Sequence, residues 1–425
     1  MATWTPTPVT ARPDGFPARA TACYRQPMAR RPTLDFLKTE SGAGTVLAAA
    51  ALTALVMANS RWAPDYHAFV DWPVPVRVGD FAATRSIAGW VNDGLMAVFF
   101  LVVGMEVKYE VLRGELTSPR RLALPLLAAA GGVVAPALIY LAINSSVGGA
   151  PQGWPAVTAT DIAFALAALS LAAPRISASL RIFLLTLAIA DDVGAVGLVA
   201  ALFTRTLHAN ALIGAGLTLA ALAALSRWRS APFVLYAAGF LIVWAFTLVS
   251  GVSTSAAGVA CALTIPVGAR RPGHESALKY FMDSLHPYVA YIILPLFAFT
   301  AAGFSFSGLS IGHLTAAMPV GIGLALILGK PLGVFGVTAL AIATRLGRRP
   351  AGSTWMELLG VATLCGAGFT MSFYIGARAF PAADAIAQAQ VRLGVVVGST
   401  VSVIIGVALV AWAQRRRIGV SDEQL

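Results

Sequence analysis

The chain has 425 residues with a formal net charge of +11; 58% of them are hydrophobic and only 12% are charged. A soluble domain is about half apolar and about a quarter charged, so this composition excludes an ordinary soluble protein and indicates one embedded largely in lipid. At about 20 apolar residues per helical span there is room for roughly ten to thirteen spans. The sequence lacks the alternating segments of roughly ten residues that are typical of a membrane β-barrel, which favours an all-α polytopic membrane protein.

Taken in chain order, residues 1–38 contain proline and arginine but no apolar core, which predicts a disordered cytoplasmic tail rather than a cleavable signal peptide. Residues 39–417 alternate apolar runs with charged or turn-forming loops and are predicted to form one twelve-helix domain, and residues 418–425 a second cytoplasmic tail. The twelve predicted spans are 43–60, 87–107, 122–143, 154–173, 179–203, 210–226, 232–249, 254–268, 285–304, 315–343, 355–380 and 393–413.

The positive charges are distributed unequally between the two sets of loops. Few lie after the odd-numbered spans, where Arg61, Arg85 and Arg378 are examples. Those after the even-numbered spans are Lys108, Arg113, Arg120, Arg121, Arg175, Arg181, Arg227, Arg229, Arg270, Arg271, Lys279, Arg345, Arg348, Arg349, Arg415, Arg416 and Arg417. By the positive-inside rule this predicts a multi-pass inner-membrane protein with both termini cytoplasmic, and it explains the basic composition without a nucleic-acid partner. The three cysteines are far apart and indicate neither a disulfide framework nor a metal site, and no cofactor is predicted.

Two spans look interrupted near mid-membrane. Span 4 has β-branched and polar residues from Ala156 to Asp161, where a stable helix would have leucine or alanine. Span 11 has two glycines, Gly366 and Gly368. If spans 3–5 and 10–12 are two inverted repeats, each break falls in the middle helix, which is typical of a midplane ion site. Glycine and threonine also serve helix packing in membranes, and for span 11 that alternative stays open.

Four charged residues lie within apolar spans, where a charge costs at least a few kcal/mol unless it lines water or has a partner. They are Asp161, the adjacent pair Asp191 and Asp192, and Lys330. Adjacent helical residues point about 100° apart, so the two aspartates suit two tasks. One can bind a hard cation together with oxygens from Thr160 and Asp161, and the other can hold a proton or pair with Lys330. A buried salt-bridge network that only fixes helix packing is the alternative, and for Lys330 alone the alternative is a structural counter-ion.

A site that must hold either a cation or protons before it reorients couples the two fluxes, which predicts exchange. A second group that titrates in the cycle, such as Lys330, would move more protons than cations and make the exchange electrogenic.

At the end of span 2, Glu106 and Glu110 share a helix face. They form either an acidic cytoplasmic funnel for cations or a solvated pair balanced by Lys108 and Arg113. Asp93, near the start of span 2, is interpreted as a helix cap or a charge at the periplasmic mouth.

Several stretches, in the same order along the chain, resemble the NhaA sodium/proton antiporters: NDGLMAVFFLVVGMEVKYE, TATDIAFAL, LAIADDVGAV, LHPYVAYIILPLFAF, LGKPLG and LCGAGFTMS. The resemblance implies twelve transmembrane helices with inverted repeats and crossed discontinuous helices 4 and 11. It implies a secondary transporter, not an enzyme, that extrudes cytoplasmic Na⁺ or Li⁺ in exchange for external H⁺ by alternating access, for pH and sodium homeostasis.

The resemblance also implies roles for individual residues. Asp191 and Asp192 would bind Na⁺ and exchange protons, and Lys330 would be a partner of Asp191 that is released when the ion binds. Thr160 and Asp161 would lie at the helix crossing and balance helix-end charge. Glu106 and Glu110 match the residues that form the family's cytoplasmic funnel and take part in its pH response.

This sequence departs from the family pattern at the pH-response region. Tyr109 stands where arginine is common, Ser253 where histidine is found, and Met282 where glutamate is common. We hypothesise that Asp283 substitutes for that lost carboxylate. The resemblance also implies that the segment between Arg61 and Arg85 forms a small periplasmic hairpin at the contact of a homodimer in the lipid bilayer.

Two other functional classes need comparison. An intramembrane aspartyl protease also requires two membrane aspartates, on separate helices across a water, but it explains neither Lys330 nor the paired breaks. A cation channel would lack obligatory proton coupling, and a mid-membrane Asp and Lys pair fits a conduction path poorly. The ion selectivity among Na⁺, Li⁺ and K⁺ depends on cavity geometry.

Overall fold

The computed structural model describes residues 40–78, 81–113, 119–146, 148–203, 207–228, 232–268, 276–307, 310–381 and 384–422. The tail predicted at residues 1–38 and the last three residues of the chain lie outside the described residues. The described part is helical apart from its loops and one two-stranded hairpin, which confirms the prediction of an all-α polytopic membrane protein.

The N-terminal third begins with α1 (Glu40–Ala58), the short α2 (Ala63–Val70), and the antiparallel strands β1 (Pro73–Val78) and β2 (Phe81–Ser86). The elements that follow are α3 (87–113), α4 (Pro119–Asn144), a 3-10 helix (Pro151–Val157), α5 (Ile162–Ala172), α6 (Ala178–Leu202), α7 (Ala209–Leu225), α8 (Phe233–Ser250) and α9 (Thr254–Thr264). The last helices are α10 (Ala277–Ala302), α11 (Ile311–Leu314), α12 (317–343), α13 (Trp355–Leu364), α14 (Phe369–Ala379) and α15 (Ala385–Asp422).

The described helices do not all have the length of a full membrane crossing. Six are long and apolar enough to cross on their own, and three bent pairs raise the number to as many as nine. The apolar helix α9 has 11 residues. At 1.5 Å per residue it is about 16 Å long, roughly half of the hydrocarbon core. Each predicted span overlaps a helix or a bent pair, but the number of twelve crossings stays a prediction.

The helix boundaries differ most from the prediction in α10 and α15. Helix α10 begins at Ala277 rather than at residue 285, because Ala277, Leu278 and Phe281 bury one face while Lys279 and Asp283 keep the other polar. A search for uninterrupted apolar runs misses such amphipathic turns. Helix α15 covers Ala385–Asp422 rather than 393–413, so it begins eight residues earlier than predicted and includes residues 418–422 of the predicted tail.

Both predicted interruptions are present. The 3-10 helix ends at Val157 and α5 begins at Ile162, with a bend of 46° between them. Helix α13 ends at Leu364 and α14 begins at Phe369, with a bend of 41°. The backbone groups that each break removes from its own helix need partners elsewhere, because lipid offers none.

Helix α12 contains a widened turn immediately before Lys330. Residues Ala325–Gly329 form one turn of π-helix, and Pro331 follows. Proline has no amide hydrogen for the carbonyl four residues earlier, and its ring crowds that carbonyl, which favours local widening. The same arrangement precedes Pro295 in α10, where the π-helical turn is Val289–Ile293.

Helix α12 is held beside the broken helices by a close approach to α4. A Cβ atom at Gly333 would overlap the carbonyl group of Gly131, so only glycine lets the two backbones come this close. The neighbouring Gly132 lies beside the Lys330 side chain. The close contact between α4 and α12 therefore helps to set the position of the Lys330 side chain inside the protein.

We expect Gly333→Val to destabilise the protein by about 1–3 kcal/mol or more, because the added side chain overpacks the α4–α12 contact. Gly336→Val is the matched control on the same helix, since a Cβ atom there would meet nothing within 4 Å. Thermal unfolding of both variants in detergent measures the difference. Equal unfolding midpoints would show that the close approach does not need glycine.

Candidate functional site

The two helix breaks contact each other. The backbone amide of Asp161 donates to the carbonyl of Ala367 at 2.6 Å, and the hydroxyl of Thr160 lies 3.0 Å from the carbonyl of Cys365. Each break thus supplies partners for groups that the other leaves unpaired, which is how irregular backbone is tolerated inside a membrane protein.

Asp161 binds the N-terminal ends of two half-helices. Its Oδ1 accepts from the amide of Phe164 in the first turn of α5, at 3.0 Å. Its Oδ2 accepts from the amide of Thr370 in α14 at 3.1 Å and from the Thr370 hydroxyl at 2.5 Å. Helix N-termini carry partial positive charge, so one buried carboxylate offsets both ends. These three hydrogen bonds leave Asp161 little capacity to bind a cation.

Lys330 and Asp191 form a buried ion pair. The Lys330 Nζ lies 2.8 Å from Asp191 Oδ2, and both side chains are inaccessible to solvent. The same ammonium donates to the carbonyl of Thr158 and to the Thr160 hydroxyl. Its three protons therefore all have acceptors, as a buried ammonium requires.

Thr160 joins this pair to the helix breaks. Its hydroxyl lies 2.8 Å from Asp191 Oδ2 as well as 3.0 Å from the Cys365 carbonyl, and its single proton serves one of them at a time. The pair is thus connected to both breaks through one hydroxyl group.

Asp192 differs from its neighbour. Both aspartates are buried, and the Oδ1 of each has no hydrogen-bond partner among the described residues. Asp191 is held through its Oδ2 by Lys330 and Thr160, whereas no ion pair involves Asp192 among the described residues. Asp192 also differs in its access to open space. It lines a cavity of about 350 Å³ whose inner wall also includes Asp161 and Thr370. A buried carboxylate oxygen without a donor is costly, and a cation or a proton in the cavity would satisfy it. Asp191 is therefore a carboxylate neutralised by Lys330, and the adjacent Asp192 is a carboxylate that is available to a cation or a proton.

Another part of the cavity is lined by residues from α3 and α10. Glu106, Tyr109 and Glu110 of α3 and Met282 and His286 of α10 line this part. The two glutamates therefore share the cavity wall. Lys108 instead donates to the carbonyls of Leu263 and Ile265 at the end of α9, at 2.6 and 2.5 Å.

The other residues singled out from the sequence lie elsewhere. Asp283 is exposed and is not among the cavity-lining residues, whereas its neighbour Met282 and the nearby His286 are. Ser253 is buried, and its hydroxyl bonds that of Ser255 at 2.7 Å. Asp93 lies away from the cavity, in an ion pair with Arg378.

Sequence reasoning did not identify Thr370 as a site residue. A hydroxyl residue two positions after Gly368 was a usable signal, because such residues often serve helix N-termini. The contributions of the Thr158 and Cys365 carbonyls had no signal, since every residue has a carbonyl.

We expect Thr370→Val to destabilise the protein by about 1.5–3 kcal/mol, since it removes a hydrogen bond to a buried charged group while keeping the volume. Thr363→Val is the matched control, because its hydroxyl bonds the carbonyl of Leu359 in its own helix rather than a buried carboxylate. Thermal unfolding in detergent compares the two variants. A smaller loss in Thr370→Val than in Thr363→Val would contradict the capping role of this hydroxyl.

Comparison with known proteins places this geometry in a family. The model of the family "Na+/H+ antiporter 1" matches residues 34–410. The Na(+)/H(+) antiporter NhaA of Pseudomonas putida (strain GB-1) is 44% identical over 385 residues, which cover 90% of this chain and 98% of that protein. The NhaA proteins of Bordetella parapertussis and Serratia proteamaculans are 46% and 42% identical, over 89% and 88% of this chain and 96% of each relative. The chain therefore belongs to the NhaA family of sodium/proton antiporters.

Proposed function

We propose that this protein is an electrogenic antiporter that extrudes cytoplasmic Na⁺ or Li⁺ in exchange for external H⁺. The observation that carries the proposal is the buried Asp192, whose Oδ1 lacks a hydrogen-bond partner among the described residues while it lines a cavity beside the Asp191–Lys330 pair. The relatives are named as Na⁺/H⁺ antiporters, which supports these two substrates.

Exchange follows from competition at the two adjacent aspartates. Na⁺ is a hard cation that prefers carboxylate and other oxygen ligands. When Asp192 and Asp191 both turn to the cation, Asp192 releases the proton that it held, and Asp191 leaves Lys330. Lys330 then loses its counter-ion in a low-dielectric interior and releases a second proton. Protons that return to these groups displace the cation. More protons than cations then move in each cycle, and the membrane potential contributes about 2.3 kcal/mol per net charge per 100 mV.

We further propose that the protein works by alternating access, with twelve spans, two inverted repeats, and crossed discontinuous spans 4 and 11. The hydrogen bonds between the two breaks support the crossing. The distribution of Lys and Arg supports an inner-membrane orientation with both termini in the cytoplasm. In that orientation the Glu106–Glu110 side of the cavity is a cytoplasmic funnel that attracts cations, and these residues together with Asp283 contribute to the pH response.

The hairpin β1–β2 is the proposed contact of a homodimer. Its two strands pair only with each other among the described residues, so their outer edges offer backbone groups to a second copy. Cysteines introduced along β1 would cross-link between subunits in the membrane if the hairpins meet. No cross-link at any position would contradict this contact.

The antiporter proposal is tested with the purified protein in liposomes that trap a pH-sensitive dye. We expect added Na⁺ or Li⁺ to drive proton movement, and an imposed membrane potential to change its rate. A channel would instead pass Na⁺ without moving protons, and a protease would move neither ion. Either result, with folded protein confirmed, would overturn the proposal.

A further inference from the structure

A barrier separates the ion site from the end of the molecule opposite the funnel, and one face of α14 forms half of it. Thr370, Tyr374 and Arg378 are four residues apart and therefore lie in a row on this helix. Thr370 binds Asp161 at the inner wall of the cavity. At 1.5 Å per residue, Arg378 lies about 12 Å farther along the helix axis. The row thus leads from the site to the opposite end.

The inner layer of the barrier is aromatic. The ring of Tyr374 lies 5.2 Å from that of Phe100 on α3 and 6.2 Å from that of Phe297 on α10. All three side chains are buried. The cavity is lined by Val103 and Thr370, one turn nearer the funnel, and by Phe99 beside Phe100, but not by these three rings themselves.

The outer layer is ionic. Arg378 donates from Nη2 to Asp93 Oδ1 at 2.8 Å, and Arg85 on β2 lies 3.1 Å from Asp93 Oδ2. The Arg378 guanidinium also lies over the Tyr374 ring, 4.8 Å from its centre, so it joins the two layers. Trp244 Nε1 donates to the Asp93 carbonyl within the π-helical turn Val91–Leu95, which holds this aspartate in place.

The two halves of the barrier belong to different groups of helices. Helix α3 packs most extensively on α9, whereas α14 packs on the 3-10 helix and α15. Side chains of Asp93 and Phe100 reach across from α3 to Arg378 and Tyr374. The Asp93 and Arg378 side chains are 13% and 18% exposed, so water can hydrate both ions if they part, unlike the fully buried Asp191–Lys330 pair.

We propose that the Asp93–Arg378 ion pair is an external latch, which closes the ion path while the funnel is open and separates when the site opens to the other side. The inference rests on the proposed antiport, because only a transporter that alternates its access needs this separation. Arg85 keeps a partial counter-charge on Asp93 when Arg378 leaves. The latch is thus a specific polar contact that breaks and reforms once in each cycle.

The test joins the two residues covalently. In a background with Cys23, Cys261 and Cys365 replaced by alanine, Asp93→Cys and Arg378→Cys are combined and linked with a bis-methanethiosulfonate reagent, which dithiothreitol cleaves. We expect the link to reduce Na⁺/H⁺ exchange in liposomes at least about tenfold, because the conformational step is blocked. Dithiothreitol should restore exchange, which excludes misfolding. Li⁺ binding to the linked protein in detergent should change by less than about threefold, because the funnel stays open.

The matched control links Ala377→Cys to Gln388→Cys. The Gln388 amide donates to the Ala377 carbonyl, so this pair is within reach of the reagent but lies between α14 and α15, inside one group of helices. Exchange should survive that link. Exchange that persists in the linked Asp93/Arg378 protein, or that is lost equally in the control, would overturn the latch alone. Exchange that is absent from every variant before linking would overturn the antiport proposal and the latch with it.

Discussion

Asp192→Asn should abolish sodium-dependent proton movement. The substitution keeps the size of the side chain but removes the charge that faces the cavity, while Asp191 remains paired with Lys330. Losing one charge of a buried ionic contact costs about 2 kcal/mol or more, which corresponds to a loss of cation affinity of at least about 30-fold. Li⁺ binding by isothermal calorimetry in detergent and dye response in liposomes measure the two effects.

The control for this experiment is Asp384→Asn. Asp384 is exposed and its Oδ1 accepts from the amide of Ala387 at the start of α15, a task that asparagine performs equally well. The same chemical change should therefore leave binding and exchange intact there. Normal Li⁺ binding in Asp192→Asn would mean that the cation binds elsewhere, and the proposed site would be wrong.

Lys330→Met should destabilise the protein strongly. Methionine fills a similar volume but leaves the Asp191 carboxylate buried without its counter-ion, and breaking a buried pair in this way costs about 3–5 kcal/mol. The double variant Asp191→Asn/Lys330→Met removes both charges and keeps a group that Thr160 can bond. We expect it to recover most of the lost stability, measured as the thermal unfolding midpoint in detergent. A single variant as stable as the parent would contradict a charged, paired Asp191.

The same double variant separates the two roles of Lys330 that the sequence leaves open. If Lys330 only balances charge, exchange in the stable double variant should keep the voltage dependence of the parent. If Lys330 supplies a transported proton, as we propose, exchange should continue through Asp192 but lose its response to an imposed membrane potential. Liposomes clamped with valinomycin and K⁺ gradients distinguish these results.

Local chemistry explains which parts of the fold were predictable. Apolar runs located nearly all helices because the preference for lipid is a property of each segment by itself. The breaks were predictable because Thr158 and Thr160 disfavour a helix and Gly366 and Gly368 permit irregular backbone. The first turns of α10 were missed because their apolar residues, such as Leu278 and Phe281, share one face with polar neighbours on the other.

Parts of the site needed contacts between distant segments. The sequence did not show whether Lys330 would pair with Asp191 or with Asp192. The two side chains point about 100° apart on their helix, but only the positions of the neighbouring helices decide which of them faces Lys330. Nor did they show that Lys108 binds the end of α9, or that His286 rather than Asp283 reaches the cavity.

The sequence by itself determined that this is a helical membrane protein, where its helices break, and which charged residues are placed in lipid. These properties depend on composition and on short-range backbone preferences. Only the tertiary structure decided that Asp161 binds the ends of two half-helices, that Asp191 pairs with Lys330, and that Asp93 meets Arg378, 285 residues away. Such pairs depend on how the helices pack. The sequence shows that a residue is charged, but the packing of distant segments decides which partner lies beside it.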